Sequence, residues 1–183
     1  GRNINLNCGA LEPNRLLEEI RSTGHDYGIA FDGDGDRAVF VSNKYGLIES
    51  EKIACLYYLL LSDRKVKNEI VTTEITNLGF KKNLRMFGGS TVEVEVGDRH
   101  VINAVNLRHS LFGFEPSGHF YFPSKSRTMD GLQALLFFLD FLKLRGSELN
   151  SILESMETCN RVKKDFSVMG FKRKLNFLAL QQR

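Results

Sequence analysis

The sequence predicts an α/β fold built from layers of helices and strands. Short apolar runs of strand length alternate along the chain with longer runs that have a helical period. Glycine, proline and asparagine separate these runs and mark the turns between them. With 183 residues, of which 42% are hydrophobic and 26% charged, the chain has the composition of a globular protein of one or two domains.

Residues 1–47 form the first predicted domain, whose strands flank an acidic loop. Alternating polar and apolar residues at the start of the chain predict the end of a strand over 1–7. Pro13 opens a helix, because proline suits the first helical position, and Gly24 ends it. The apolar runs 27–31 and 38–41 predict two strands, with a turn at 43–46 after the second.

Residues 48–158 form the second predicted domain, because a new alternation of helices and strands begins after the turn at Gly46. Residues 159–183 have no clear period, and we predict a hinge or a divergent tail there. The predicted elements of the second domain are, in order, a helix over 50–61, a strand over 70–75, a helix over 78–87, a strand over 91–96, a helix over 99–107, strands over 111–115 and 119–122, and a helix over 132–144.

The loop between the first two strands carries the most informative motif of the chain. It alternates three carboxylates with two glycines and ends on an arginine: Asp32, Gly33, Asp34, Gly35, Asp36 and Arg37. Such a cluster repels itself unless a cation lies among its oxygens, and hard oxygen ligands suit Mg²⁺. An EF-hand calcium loop would need glycine at its sixth position and glutamate at its twelfth, but these positions hold Arg37 and Asn43. The motif therefore predicts a Mg²⁺ site next to a phosphate-binding arginine.

Two further loops carry candidate binding residues. Gly97, Asp98 and Arg99 lie where a strand turns into a helix, which suits either an anion or a simple helix cap. Glu115 and Ser117 could bind two neighbouring hydroxyls of a sugar ring, and His119 could share a proton near neutral pH. A polar hairpin with a structural histidine explains the second loop equally well on this sequence alone.

Composition sets limits on partners and compartment. The net charge of +3 is mild, and basic residues concentrate after residue 160, which favours a solvated face or linker over a nucleic-acid site. Three widely spaced cysteines indicate neither a disulfide framework nor a zinc site, so we expect a cytoplasmic protein. The apolar runs are too short to span a bilayer, and the N-terminus does not have the pattern of a signal peptide, so we expect no membrane association.

Taken in order, these motifs resemble those of the α-D-phosphohexomutase superfamily, and within it the chain is most similar to the bacterial phosphoglucosamine mutase branch. The similarity runs from about Gly1 to Met156. The acidic loop is the most specific element, and the Gly97-Asp98-Arg99 form favours this branch over phosphomannomutases and phosphoglucomutases. The other stretches that carry it are Asn3-Ile4-Asn5, Cys8-Gly9, Asn77-Leu78-Gly79-Phe80, Glu115-Pro116-Ser117-Gly118-His119 and Asp130-Gly131.

The resemblance implies the fold and the reaction. It implies mixed-sheet, three-layer α/β domains, with residues 1–47 as the end of the second domain of such an enzyme and residues 48–158 as its third. A phosphoserine would pass its phosphoryl group to a hexose monophosphate, and the bisphosphate intermediate would reorient and return the other phosphate. In this branch the reaction would interconvert glucosamine 6-phosphate and glucosamine 1-phosphate.

The resemblance also implies the roles of the site residues. Asp32, Asp34 and Asp36 would bind Mg²⁺, and Arg37 would lie by the phosphoryl group. The residues that would contact the hexosamine phosphate substrate are Glu115 and Ser117 at its hydroxyls, His119 as an aid to proton transfer, and Gly97, Asp98 and Arg99 facing it.

Departures from the family pattern limit these expectations. The 183 residues contain neither a Thr-Ala-Ser-His-Asn-Pro type serine loop nor an Arg-Ala-Ser-Gly-Thr-Glu type phosphate loop. We therefore expect a fragment that is inactive without the remaining mutase domains. Smaller departures are Ala10, His100, Pro116 and Met129, and Pro116 stiffens the sugar loop. A mutase for glucose or mannose phosphates, or a non-catalytic binding remnant, remain as alternatives, and the oligomeric state is open.

Overall fold

The computed structural model describes residues 2–62 and 68–159. A three-stranded antiparallel sheet follows the first helix, and its strands are hydrogen-bonded in the order β1-β2-β3. Leu16 and Ile20 of the helix lie against Gly28 of β1, where the absence of a side chain lets the helix approach the sheet closely. The elements are α1 (Pro13–Thr23), β1 (Tyr27–Phe31), β2 (Ala38–Ser42) and β3 (Gly46–Ile48).

A second, mixed sheet has the strand order β5-β4-β6-β7. Its central strand β4 is parallel to β5 and β6, whereas β7 is antiparallel to β6. The elements of this part are α2 (Ser50–Leu61), β4 (Glu69–Thr73), α3 (Leu78–Met86), β5 (Ser90–Val94), α4 (Asp98–Arg108), β6 (Phe112–Phe114), β7 (Phe120–Tyr121), α5 (Gly131–Arg145), a 3-10 turn (Gly146–Glu148) and α6 (Leu149–Ser155).

Helices cover both faces of the second sheet, which confirms the expected layered α/β class. Ile70 and Val71 are neighbours on β4 and point to opposite faces, as successive strand residues do. Ile70 belongs to the larger core with residues of α2, α3 and α5, and Val71 belongs to a smaller core with Val101 and Val105 of α4. The larger core also includes Phe40 of β2, so the first sheet packs into the same apolar cluster.

Because β4, β5 and β6 are parallel, the three loops that follow them lie at the same edge of the second sheet. The chain leaves β4 towards β5 on one side and later returns to β6 on the other, which makes the carboxyl end of β4 a topological switch point. The turn at Gly97 follows β5, and the loop that begins at Glu115 follows β6. Crevices at such points are frequent ligand sites in open α/β sheets.

The structure corrects one expectation from the sequence and adds two short elements. Residues 4–7 form turns rather than a strand, and Asn5 and Asn7 have positive φ angles of 58° and 51°. The short strand β3 and the helix α6 were not predicted. The predicted tail lies outside the described residues, apart from Cys159.

Candidate functional site

The acidic loop gathers its three carboxylates at one place. Asp32, Asp34 and Asp36 each offer one oxygen, and these three oxygens lie within 4.8 Å of one another. At this separation each pair of charges repels by about 1 to 3 kcal/mol, depending on the effective dielectric. The fold therefore holds together three groups that repel one another when no cation is present.

Local hydrogen bonds set the shape of this loop. Asp32 Oδ1 accepts from the backbone N–H groups of Gly35, at 3.1 Å, and Arg37, at 3.2 Å. Gly35 adopts a left-handed conformation with φ 79°, which glycine allows at little cost. Asp32 thereby folds the loop back on itself and leaves its second oxygen to form an ion pair with Arg37 Nε at 3.0 Å.

The acidic loop is joined directly to the loop that carries Glu115 and His119. Arg37 and His119 form an isolated antiparallel bridge, and the N–H of Ala38 donates to the carbonyl of Gly118 at 3.0 Å. Arg37 Nε also donates to His119 Nε2 at 3.2 Å. Residues 82 positions apart in sequence thus share one hydrogen-bonded unit.

Glu115 is held through both of its oxygens. Oε1 accepts from the N–H of Gly97 at 2.9 Å, and Oε2 lies 3.2 Å from His119 Nδ1. Ser117 Oγ lies 2.8 Å from the same imidazole nitrogen. Hydrogen bonds and ion pairs therefore bring together the acidic loop, the 115–119 loop and the turn after β5.

The donor set fits a small divalent cation of the magnesium type. Three carboxylates converge, and Asp36 Oδ1 is buried without a hydrogen-bond donor among the described residues. The imidazole nitrogen His119 Nε2 lies 3.4 Å from it. A buried carboxylate oxygen that lacks a donor is costly unless a cation binds it. Mg²⁺ takes oxygen ligands and keeps further positions for water or phosphate oxygens.

The three carboxyl groups do not share one environment. Burial works against the charge of Asp32, but the N–H of Arg37, a hydrogen bond with Asp36, the charge of Arg37 and the N–H of Gly35 outweigh it and lower the pKa of Asp32. Burial raises the pKa of Asp36, and the neighbouring Asp32 and Asp34 raise it further against the opposing charge of His119. Asp32 therefore keeps its charge more readily than Asp36 when no cation is bound.

His119 and Glu115 stabilise each other's charged forms. The hydrogen bond from His119 lowers the pKa of Glu115 although partial burial opposes it, and the N–H of Gly97 adds to this effect. Burial opposes a charge on His119, but Glu115 and Asp36 outweigh burial and raise the pKa of His119. While Nε2 accepts from Arg37, the ring proton is on Nδ1; a second proton on Nε2 would face Asp36.

The other two residues of the 97–99 motif lie at the surface. Asp98 is the first residue of α4, is exposed, and its carboxylate accepts from the adjacent N–H of Arg99 at 2.7 Å, while Gly97 occupies the N-cap position. In the described part of the chain, neither side chain has a hydrogen bond or ion pair with the acidic loop or the 115–119 loop. The structure thus brings Gly97 into the site and leaves Asp98 and Arg99 at its edge.

Two glycines of the site carried no predicted role. Gly118 has φ 99°, and a Cβ there would lie 2.9 Å from the carbonyl oxygen of Ala38. Gly131 begins α5 and donates its N–H to the carbonyl of Gly35 at 3.0 Å. In the sequence both are glycines within the stretches that carry the resemblance, and only the packing shows why a side chain is excluded.

A separate cavity of about 520 Å³ lies between the first sheet and the start of α2. Ser117 and Pro116 line one side of it, and Glu49, Glu51 and Asn77 line another. None of the three loop carboxylates lines this cavity. The candidate metal site therefore lies outside this cavity, whereas Pro116 and Ser117 of the neighbouring 115–119 loop line it.

The layered α/β fold carries a carboxylate cluster between β1 and β2, and this cluster is joined to the 115–119 loop. Residues 49–159 match the family profile described as "Phosphoglucomutase/phosphomannomutase, alpha/beta/alpha domain III". This match covers more than half of the chain, and the chain belongs to the phosphoglucomutase/phosphomannomutase family.

Curated relatives point to one branch of this family. The phosphoglucosamine mutase of Bacillus licheniformis is 36% identical over 159 residues, which are 86% of this chain and 36% of the relative. The phosphoglucosamine mutase of Desulfotalea psychrophila is 33% identical over 167 residues, which are 90% of this chain and 37% of the relative. The chain thus spans a little over a third of the length of these relatives.

Solved structures agree on the fold. A phosphoglucomutase/phosphomannomutase family protein from Burkholderia thailandensis matches with a TM-score of 0.70 and 22% identity, over 81% of this chain and 32% of that chain. An Aspergillus fumigatus N-acetylphosphoglucosamine mutase, solved with GlcNAc-6P and magnesium, matches with a TM-score of 0.65 and 16% identity, over 84% and 40%. Among the described residues, the helices are too short or too polar to cross a bilayer.

Proposed function

We propose that this chain is part of a phosphoglucosamine mutase, an enzyme that interconverts glucosamine 6-phosphate and glucosamine 1-phosphate through a phosphoserine and a bisphosphate intermediate. The relatives that carry this name support the substrate. The union of the acidic loop with the 115–119 loop supports the reaction more than any other observation. Arg37 of the acidic loop contacts His119, which in turn contacts Glu115, so the two loops belong to one hydrogen-bonded unit.

Residues 1–47 and 48–158 would be the end of the second and the third domain of this enzyme. The family profile covers residues 49–159 and supports the second part of this division. The 183 residues contain no serine loop of the expected type, so we propose that they do not turn over substrate without the remaining domains. Three free cysteines support a reducing compartment, and we place the parent enzyme in the cytoplasm.

Phosphoryl transfer requires in-line positioning and neutralisation of charge on the equatorial oxygens. Asp32, Asp34 and Asp36 would hold Mg²⁺, which supplies this neutralisation when bound. Arg37 would add a fixed guanidinium next to the phosphoryl group, and its ion pair with Asp32 already orients it.

The 115–119 loop would hold the sugar. Glu115 accepts and Ser117 both donates and accepts, so together they can bind two neighbouring hydroxyls in either orientation of the bisphosphate. His119 would move a proton at Nδ1 or Nε2, since its neighbours raise its pKa. Gly97 orients Glu115 through its N–H, while Asp98 and Arg99 at the cleft edge would face the substrate.

The test is a turnover assay of the full-length parent with glucosamine, glucose and mannose phosphates. We expect the highest kcat/KM with glucosamine 6-phosphate. Asp34→Ala should lower kcat by about 100-fold or more, whereas Asp140→Asn, an exposed carboxyl of α5, should leave it unchanged.

Two results would favour the alternatives. A clear preference for glucose or mannose phosphates would identify another mutase of the same superfamily. The absence of turnover with all three, together with no upstream reading frame for a serine loop, would indicate a non-catalytic metal- or sugar-phosphate-binding remnant.

A further inference from the structure

Helix α5 begins directly against the backbone of the acidic loop. Its first residue, Gly131, is buried, and its N–H donates to the carbonyl of Gly35 at 3.0 Å. The first N–H groups of a helix have no partner within the helix, so this bond uses a donor that would otherwise stay unpaired. The start of the helix is itself fixed, because Asp130 donates its N–H to Phe120 at 2.9 Å and caps Gln133 at 2.9 Å.

There is no space for a side chain at position 131. A Cβ there would lie 2.6 Å from the carbonyl oxygen of Arg37 and 2.8 Å from that of Gly35. Both are backbone atoms, which cannot rotate away as the end of a side chain can. Any substitution must therefore move the helix or the backbone on either side of Asp36, one of the three clustered carboxylates.

We propose that Gly131 is a positioning residue for the metal loop. Its missing side chain lets α5 dock on the backbone of residues 35–37 and keeps three mutually repelling carboxylates close together before a cation arrives. Ordering a flexible loop on binding costs free energy, and a loop that is already ordered avoids this cost. The contact between Gly131 and the backbone of residues 35–37 therefore raises cation affinity, although Gly131 does not contact the cation. This inference rests on the proposed function in one respect, that Asp32, Asp34 and Asp36 bind a divalent cation.

The experiment is a titration of the 183-residue chain with Mn²⁺, followed by the electron paramagnetic resonance signal of the free ion. We expect Gly131→Ala to raise the Kd for Mn²⁺ by at least tenfold. The matched control is Gly146→Ala at the other end of α5, where an added Cβ meets nothing within 4 Å, and its Kd should equal that of the wild type.

A second control separates positioning from a general loss of stability. Leu84 is fully buried in α3, away from the site residues, so Leu84→Ala destabilises the fold without touching the loop. Under conditions where both variants are folded by circular dichroism, Leu84→Ala should keep the wild-type Kd. If Leu84→Ala and Gly131→Ala weaken binding equally, Gly131 has only a structural role and the inference is wrong.

The remaining outcomes distinguish the inference from the proposed function. Wild-type binding that Asp34→Ala abolishes and Gly131→Ala leaves intact overturns the inference alone. No difference between the wild type and Asp34→Ala overturns the metal site and the inference together. If Gly131→Ala does not fold, the scalar coupling across the hydrogen bond between Gly131 N and the Gly35 carbonyl carbon is measured in the wild type. We expect this coupling to be detectable, and its absence contradicts the contact between Gly131 and the acidic loop.

Discussion

Glu115 is the residue at which the three loops of the site meet. Its carboxylate is fixed by Gly97 on one oxygen and by His119 on the other, and His119 in turn accepts from Arg37 of the acidic loop. Removing the charge of Glu115 should therefore change the pKa of His119 first.

We predict that Glu115→Gln lowers the pKa of His119 in the metal-free chain. Burial lowers this pKa, but the hydrogen bond that His119 donates to Glu115 and the charges of Glu115 and Asp36 raise it, so losing the Glu115 charge leaves burial less opposed. The imidazolium should consequently deprotonate at lower pH than in the wild type. Ring nitrogen shifts of His119, followed by NMR across pH 5 to 9 with EDTA present, measure the change. Asp98→Asn is the control, and a pKa that stays the same in Glu115→Gln would contradict the contact.

The three cysteines should differ strongly in reactivity. Cys55 is fully buried in α2, and burial raises the pKa of its thiol, so little thiolate forms and reagents cannot reach it. Cys8 is exposed and Cys159 is partly exposed. With a thiol reagent at pH 8 we expect fast reaction at Cys8, slower reaction at Cys159, and reaction at Cys55 only after unfolding. Mass mapping of the labelled sites decides this, and early labelling of Cys55 would contradict its burial.

At the scale of elements, the end of the described chain is fastened to the start of α3. Asn77 caps this helix by accepting from the N–H of Gly79 at 2.8 Å, and its amide donates to the carbonyl of Cys159 at 2.8 Å. We predict that Asn77→Ala lowers the free energy of unfolding by about 1 to 2 kcal/mol, because a cap and a long-range bond are lost together.

The control for this prediction is Asn150→Ala. Asn150 is an exposed residue of α6, and its replacement should change the stability by less than about 0.5 kcal/mol. Urea unfolding of both variants measures the difference. Equal stabilities would show that Asn77 caps the helix without contributing to the fold.

Elements with strong local signals were predicted closely from the sequence. The helix α1 begins at Pro13 and ends before Gly24, because these two residues set its boundaries. The predicted strand over 27–31 and the predicted helix over 50–61 have the same bounds as β1 and α2. The start of the chain misled the prediction, because alternation over a few residues also fits consecutive turns. The strand β3 has only three residues and gives no periodic signal. In α6 the buried residues Leu149, Ile152 and Leu153 do have the i, i+3, i+4 spacing of a helix, and the prediction missed this signal.

The site was predictable to the extent that it is local. The six consecutive residues of the acidic motif are enough to indicate a cation site, and the proximity of this motif to Glu115 and His119 followed from the resemblance. The bridge between Arg37 and His119 and the contact of Gly131 with Gly35 join distant segments, and no pattern within either segment reveals them. The hydrogen bond from the N–H of Gly97 to Glu115 is likewise a contact between distant segments that the sequence did not reveal.

For the whole molecule, the two sheets share one apolar core through α5. The ring of Phe138 lies 5.6 Å from that of Tyr27 in β1 and 5.0 Å from that of Phe40 in β2. Phe138 is 1% exposed. We predict that Phe138→Ala costs about 3 to 5 kcal/mol and reduces hydrogen-exchange protection in both sheets.

The control is Leu139→Ala on the same helix. Leu139 is 47% exposed, so this substitution should lower the free energy of unfolding by less than about 1 kcal/mol. Protection that falls only in the first sheet of Phe138→Ala would show that the two sheets unfold independently.

The central claim is that the acidic loop binds a divalent cation beside the sugar-binding loop. Paramagnetic broadening of backbone amide signals by substoichiometric Mn²⁺ in the 183-residue chain tests it most directly. Broadening is predicted first at Gly33 and Gly35 and then at Gly118 and His119. Gly146 should keep its signal, because it follows the last residue of α5, about 22 Å along the helix from Gly131. Broadening centred elsewhere, or equal broadening in Asp34→Ala, would contradict the account.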